Sequence, residues 1–171
     1  MTPIADCGFP LAAITPGSNP PQIILGNVTL VEKGPTTPVA IGFVPGLFHT
    51  DPATVQATVQ SISATPPPPQ LVEALIDTGA RESCIDESLA VNLQLPLVDR
   101  VKAAGVGGGH EFNVYLGYIR IVALNYVQYG RFMGVKLRDG GQPHHVLLGR
   151  TLLQGMVLVY DGRDGTCRLA V

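Results

Sequence analysis

Residues 74–80 read Ala-Leu-Ile-Asp-Thr-Gly-Ala, and this stretch decides the interpretation of the whole chain. Its apolar half predicts a buried strand that delivers one carboxylate, Asp77, into a tight turn made by Thr78 and Gly79. A carboxylate at the end of a buried strand is costly unless something uses or neutralises its charge. The hydroxyl of Thr78 can hydrogen-bond nearby backbone, and glycine lets a chain turn sharply beside a ligand. The turn is therefore a candidate catalytic site, and an ordinary strand end is the alternative interpretation.

Two further patterns follow this turn along the chain. Residues 105–109 are rich in glycine and lie between segments with strand character, and Val146-Leu147-Leu148-Gly149-Arg150 is a second apolar run that ends in glycine. Together and in this order, the three signatures resemble the retropepsin family, the aspartic proteases of retroviruses and their cellular and bacterial relatives. The resemblance implies an all-β protein, a closed β-barrel with one or two short helices, in a dimer. It divides the chain into an N-terminal extension with possible strands, residues 1–50, and a protease domain, residues 51–171.

The activity that the resemblance implies is the hydrolysis of peptide bonds by an aspartic endopeptidase. Two carboxylates face each other across one water in such a site, and they share a proton because both cannot ionise at contact distance. This chain has a single Asp-Thr-Gly, and Asp164-Gly165-Thr166 has the wrong order. A two-fold axis beside Asp77 supplies the second acid from a partner copy. We therefore expect a homodimer that acts on peptide or protein substrates and needs no metal and no other cofactor.

The remaining site residues also follow from the resemblance. Thr78 and Gly79 hold the geometry of the catalytic Asp77. The glycine loop corresponds to a flap whose backbone amides bond an extended peptide. The candidate substrate contacts are Ala80, Arg81, Gly105, Val106, Gly107 and Gly108. A plain hairpin turn is the alternative for the glycines, and a phosphate-binding loop is disfavoured because neither Lys-Ser nor Lys-Thr follows them.

Arg150 has a specific expectation attached to it. In many retropepsins the corresponding Arg pairs with an acidic residue two positions after the glycine of the catalytic turn. That position holds Arg81 in this chain, and Glu82 is the neighbour that could take over the pairing. The alternative is a solvated residue at a helix start.

Composition excludes several other classes of protein. The 171 residues are 46% apolar and carry a net charge of −2, without the basic excess of a nucleic-acid binder. No run reaches the ~18 apolar residues of a membrane span, and no signal peptide is visible. The three cysteines form no zinc pattern, which favours reduced thiols and a cytoplasmic protein, with Cys84 as a buried thiol. We interpret His144 and His145 as a surface turn, since no third ligand follows at a useful spacing.

The hydrophobic pattern predicts the order of elements, after a loosely held arm at residues 1–22. Predicted strands are 23–31, 38–44, 54–62, 71–76, 98–104, 111–124, 127–137, 156–160 and 166–171, and predicted helices are 83–93 and 150–154. Prolines 66–69 form a stiff connection between two strands. Residues 166–171 resemble the family's terminal strand, which interleaves with its twin at the dimer interface. Residues 21–25 resemble the N-terminal strand of retroviral proteases.

Two other functions remain open from the sequence. One is a non-proteolytic module that keeps the retropepsin fold for dimerisation or peptide binding, because a shared fold does not guarantee activity. The other is a protease domain of a larger polyprotein, dormant until released. The intact Asp-Thr-Gly favours the enzyme over the module, and Arg81 together with the N-terminal segment keeps the module in view.

Overall fold

The computed structural model describes residues 3–9, 12–68, 71–105 and 108–171. These residues are mostly β-strand with a few short helices. The strands are β1 (Ile4–Asp6), β2 (Ala12–Ile14), β3 (Ile23–Leu25), β4 (Thr36–Gly42), β5 (Val72–Ile76), β6 (Cys84–Asp86), β7 (Leu97–Gly105), β8 (Gly108–Ile121), β9 (Tyr126–Val135), β10 (Val146–Leu148), β11 (Val157–Asp161) and β12 (Thr166–Ala170). The α-helices are α1 (Gly26–Lys33), α2 (Pro52–Ala64), α3 (Glu87–Asn92) and α4 (Arg150–Leu153), and Pro45–Phe48 and Val122–Leu124 are 3₁₀ helices.

The main sheet places the two apolar runs of the sequence side by side. Its strand order is β4-β5-β10-β6-β9-β8-β7, and β4 pairs with β8 as well as with β5. Strands β5 and β10 run parallel, with Ile76 opposite Leu148. Because both strands end at the same edge, the turn that begins at Asp77 meets the segment that begins at Gly149.

A smaller sheet joins the two ends of the chain, with the order β1-β12-β11. Strand β1 pairs with β12 through Ile4 opposite Ala170, and β11 forms a hairpin with β12. We call these three strands the terminal sheet. Strand β11 lies at its edge and has no second strand partner among the described residues.

The core lies between the sheets and explains why these strands form. Ile85, Ile119, Val146 and Leu148 are completely buried, and all belong to strands of the main sheet. Leu169 of the terminal sheet is buried in the same cluster. Burial of such β-branched and aliphatic side chains is the main driving force for the fold, at roughly 25 cal/mol per Å² of apolar area.

The predicted strand at residues 54–62 is wrong, because this segment is helix α2. The carboxylate of Asp51 caps the helix by accepting hydrogen bonds from the amides of Ala53 and Thr54, and Pro52 occupies the first turn. The side chains of α2 that are buried or half-buried have helical spacing, at residues 54, 55, 58, 59, 62 and 63. The apolar residues of this segment fit both the two-residue repeat of a strand and the spacing of a helix. The Asp51-Pro52 pair, a typical start of a helix, was the better indicator of its structure.

Two other boundaries differ from the prediction. The strand predicted at 23–31 ends at Leu25, because helix α1 begins at Gly26, and the short strand β3 pairs with β2. The strand that pairs with β12 is β1, within the segment predicted as a loose arm. The helix predicted at 83–93 starts only at Glu87, because Cys84–Asp86 is a fully buried strand, and the Asp86 carboxylate accepts a hydrogen bond from the Leu89 amide as the helix cap.

The other predicted strands, the short helix after Gly149 and the final hairpin are confirmed to within a few residues. Within the described ranges, none of the helices is both long enough and apolar enough to cross a membrane.

Candidate functional site

The Asp77 turn begins where β5 leaves the sheet. The Asp77 amide donates to the carbonyl of Leu148 at 3.0 Å, which fixes the backbone at the end of the strand. The Oδ1 atom of Asp77 accepts hydrogen bonds from the amides of Gly79, at 2.8 Å, and Ala80, at 3.1 Å. These two amide donors fix the orientation of the carboxylate. In the described part of the chain Oδ2 has no such partner, and the Asp77 side chain is half-buried.

The start of helix α4 holds the carbonyl side of the same turn. The Nη1 atom of Arg150 donates to the carbonyls of Thr78, at 2.7 Å, and Gly79, at 2.9 Å. The backbone amides of Arg150 and Thr151 donate to the carbonyls of Ala80 and Arg81, each at 3.0 Å. Four consecutive carbonyls therefore bind two consecutive residues of α4. We call this arrangement the α4 clamp.

Gly149 makes the α4 clamp possible because no side chain fits at this position. A Cβ atom there would lie 2.5 Å from the backbone carbon and oxygen of Glu82, closer than real Cβ contacts. The Gly149 amide donates to the buried hydroxyl of Ser83 at 3.1 Å. The glycine lets the two segments approach closely, and Ser83 satisfies the amide that the approach buries.

Arg150 does not pair with Glu82, the partner expected from the sequence. Glu82 pairs with its neighbour Arg81, with 3.2 Å between Oε1 and Nε, and both side chains are largely exposed. Arg150 binds the turn carbonyls instead, so the proposal that Glu82 takes over the pairing is wrong. The lack of an acid at position 81 is compensated by backbone oxygens, which no sequence pattern reveals.

Cys84 lies close enough to the Asp77 turn to feel its charge. Burial, together with the nearby carboxylates of Asp77 and Glu82, raises the pKa of the Cys84 thiol to about 11. The thiol is therefore protonated at neutral pH and a poor nucleophile. This agrees with the expectation of a buried thiol, since Cys84 is 6% exposed.

The glycine-rich segment forms the predicted hairpin. Strands β7 and β8 pair from Leu97 to the glycines at the tip, with Gly105 opposite Gly108. Val106 and Gly107, predicted to contact substrate, lie outside the described residues. Of the four other predicted contacts, Gly105 and Gly108 form the pair just described, Ala80 is half-buried in the turn and Arg81 is exposed.

Two other predicted features have a different setting. His144 is 4% exposed, so the prediction of a surface turn is wrong for it, and burial lowers the pKa of its imidazole. Across residues 3–9, 12–68, 71–105 and 108–171, no three His, Cys, Asp or Glu side chains are grouped so as to hold a metal ion.

The carboxylate of Asp164 accepts a hydrogen bond from the Thr166 amide within its own hairpin turn.

Comparison with known proteins finds similarity among solved structures. No protein-family model matches the sequence, and no curated protein matches it. Among solved structures, EIAV protease complexed with the inhibitor HBY-793 is similar, with a TM-score of 0.46 and 22% sequence identity. The match covers 76% of this chain and 96% of that chain.

Proposed function

We propose that this protein is an aspartic-type endopeptidase that acts as a homodimer. The observation that carries the proposal is the state of Asp77, whose Oδ1 is held by two turn amides while the α4 clamp fixes the backbone beneath it. With Oδ1 held in this way, the other carboxylate oxygen, Oδ2, remains available to a water molecule or to a second acid that faces the turn. Positioned carboxylates are the groups that general acid–base hydrolysis requires.

The proposed reaction uses one ionised and one protonated Asp77, one from each chain. The ionised acid takes a proton from water, and the water oxygen forms a bond to the peptide carbonyl carbon. The protonated acid gives its proton to the carbonyl oxygen, which yields a neutral tetrahedral diol. The C–N bond then breaks as the protonated acid gives its proton to the nitrogen and the ionised acid takes a proton from one diol hydroxyl, which re-forms the carbonyl. A carboxylic acid and an amine leave, and the dyad again holds one proton.

A second chain is needed because one chain offers one such turn. The alternative acid within the chain, Asp164, is engaged in the β11–β12 turn. A symmetric dimer presents the same surface twice and brings each acid to its copy. A non-proteolytic module does not require a carboxylate held by two amides above a fixed backbone. For this reason we favour the enzyme.

The terminal sheet offers a surface for that dimer. Its edge strand β11 exposes Val157 at 64%, Val159 at 58% and Tyr160 at 50%, and Ile4 of β1 is exposed at 58%. An open apolar edge strand is a template for pairing with another chain. Helix α4, which clamps the catalytic turn, leads within a few residues into β11. We propose that a two-fold axis beside β11 places the two Asp77 turns together.

The remaining parts of the proposal concern the substrate and the barrel. An extended peptide binds between the Asp77 turns and the β7–β8 hairpins, with Thr78 and Gly79 maintaining the turn. Its contacts are Ala80, Arg81, Gly105, Val106, Gly107 and Gly108.

The pairing of β4 with both β5 and β8 supports a closed barrel. The division at residue 50 stays a prediction, and β1 and β4 of the first part pair with strands of the second.

Cleavage of a peptide library by the purified chain and by Asp77→Asn tests this function. We expect the wild type to cut internal peptide bonds and Asp77→Asn to lose at least ~1,000-fold in rate, because amide cannot replace the acid. Asp164→Asn is the matched control and should cut like the wild type. Equal cleavage by wild type and Asp77→Asn would refute the mechanism.

The same assay across pH tests the shared proton. Activity should be higher at mildly acidic pH, since the dyad must keep one proton, and it should fall as both acids ionise. A profile that stays flat into the alkaline range contradicts a carboxylate dyad.

A further inference from the structure

A cleft of about 460 Å³ lies between helix α2 and the sheet strands β4 and β8. We call it the α2 cleft. The residues used in the argument are Ile41 and Val44 from β4 and its exit, Ser61 from α2, and Tyr118 and Arg120 from β8. This volume falls within the range of small-molecule sites, roughly 300–1,000 Å³.

Arg120 is a buried cation in the wall of the α2 cleft. The residue is 7% exposed. Its Nη1 donates to the carbonyls of Ile62 and Thr65, each at 2.7 Å, and its Nη2 donates to the carbonyl of Ser63, at 2.9 Å, and to Oδ1 of Asn125, at 3.1 Å. The fifth donor, Nε, is buried and has no hydrogen-bond partner among the residues that the structure describes. Every acceptor around this guanidinium is therefore neutral.

The positive charge of Arg120 has no carboxylate to balance it. None of the ion pairs found within residues 3–9, 12–68, 71–105 and 108–171 involves Arg120. The residues outside these ranges include no Asp and no Glu. The carbonyl end of α2 offsets about half of a unit charge. A buried charge that is only partly offset costs free energy, and an anion in the adjoining cleft would recover part of it.

The other walls of the cleft match a ligand with two different ends. Tyr118 is half-buried and lines the same cleft two residues before Arg120 on β8. Burial raises the pKa of its phenol, and the Arg120 charge lowers it. Ser61 lies at the exposed lip of the cleft. Ile41 and Val44 supply apolar contact area. The cleft thus combines a cation, hydroxyl donors and an apolar wall.

We propose that the α2 cleft binds a small carboxylate with an apolar body, such as an aryl or short alkyl acid. The carboxylate faces Arg120 and the Tyr118 hydroxyl, and the apolar body packs on Ile41 and Val44. This site is separate from Asp77 and does not depend on the proposed protease activity. Charge complementarity with a buried guanidinium that forms no ion pair within the described residues is what selects an acid over a neutral ligand.

Isothermal titration of the full chain with 4-phenylbutyrate at pH 7 tests the proposal, with 4-phenylbutan-1-ol as the neutral match. We expect saturable one-to-one binding of the acid and at least tenfold weaker binding of the alcohol. Equal affinities would overturn the charge argument. We expect a dissociation constant of about 0.2 mM for the acid. Absence of saturable binding up to ~10 mM acid, about 50-fold above that constant, would overturn the site itself.

Two variants locate the binding without touching Arg120, whose removal would also loosen α2. Ser61→Phe fills the mouth of the cleft from an exposed helix position, and Ser61→Ala is its matched control. We expect Ser61→Phe to lose at least tenfold in affinity for 4-phenylbutyrate with an unchanged thermal midpoint, and Ser61→Ala to bind within twofold of the wild type. Unchanged affinity in Ser61→Phe would place the ligand elsewhere and contradict the proposal.

Discussion

The Asp77 turn and helix α2 are both held by residues distant in sequence, but they are held differently. The carbonyls of the turn accept two hydrogen bonds from backbone amides of α4 and two from the Arg150 side chain. The amide of Asp77, at the start of the turn, donates to the carbonyl of Leu148 in β10. The carbonyl end of α2 depends on one side chain, Arg120, for three of its oxygens. A structure held by backbone groups tolerates the loss of a side chain better than one held by a single side chain. It does not tolerate a side chain where the backbones touch.

The largest effect should come from Gly149→Ala, which attacks the backbone approach directly. The new Cβ would overlap the backbone of Glu82, so the α4 clamp must open. We expect a loss of about 3 kcal/mol in the free energy of unfolding, measured by urea denaturation, and loss of peptide cleavage. Gly155→Ala is the control, since its Cβ would meet nothing within 4 Å. A Gly149→Ala protein as stable as Gly155→Ala would show that the close approach is not needed.

Arg120→Met should rank second, because it removes at once the three bonds that Arg120 makes to the carbonyls of Ile62, Ser63 and Thr65. The lost hydrogen bonds leave buried carbonyls unsatisfied, and we expect about 2 kcal/mol of destabilisation in the same urea experiment. Arg168→Met is the control, since Arg168 is mostly exposed and its ion pair with Asp6 is a surface pair. Equal midpoints for the two variants would mean that α2 does not depend on Arg120.

Arg150→Met should have a smaller effect on stability than Arg120→Met, which is the sharpest test of the comparison. The amides of Arg150 and Thr151 still bind the turn, so we expect about 1 kcal/mol of destabilisation. Cleavage should fall about tenfold in kcat with little change in KM, because the turn carries Asp77, the proposed catalytic acid. Arg138→Met removes an equivalent pair of carbonyl bonds in another loop and serves as the control. Full activity in Arg150→Met would remove Arg150 from the positioning of Asp77.

The same difference explains what the sequence could and could not predict. The strand into Asp77, the paired run ending at Gly149 and the β7–β8 hairpin carry local patterns of apolar residues and glycines, and these patterns predicted them. Helix α2 was predicted as a strand because its apolar residues also alternate. The bonds that anchor it come from Arg120, more than fifty residues away, and such contacts leave no local pattern. The Arg150 bonds to the turn were missed for the same reason, since their acceptors are backbone oxygens.

Subunit mixing tests the central claim most directly, because it asks whether one active site contains Asp77 of two chains. Wild type is mixed with an equal amount of Asp77→Asn, allowed to exchange subunits, and assayed for peptide cleavage at mildly acidic pH. If each site needs both acids, random pairing places half of the wild-type chains in inactive dimers, and activity falls to about half of that of wild type alone. Activity unchanged by the added Asp77→Asn would contradict a dyad formed across a homodimer.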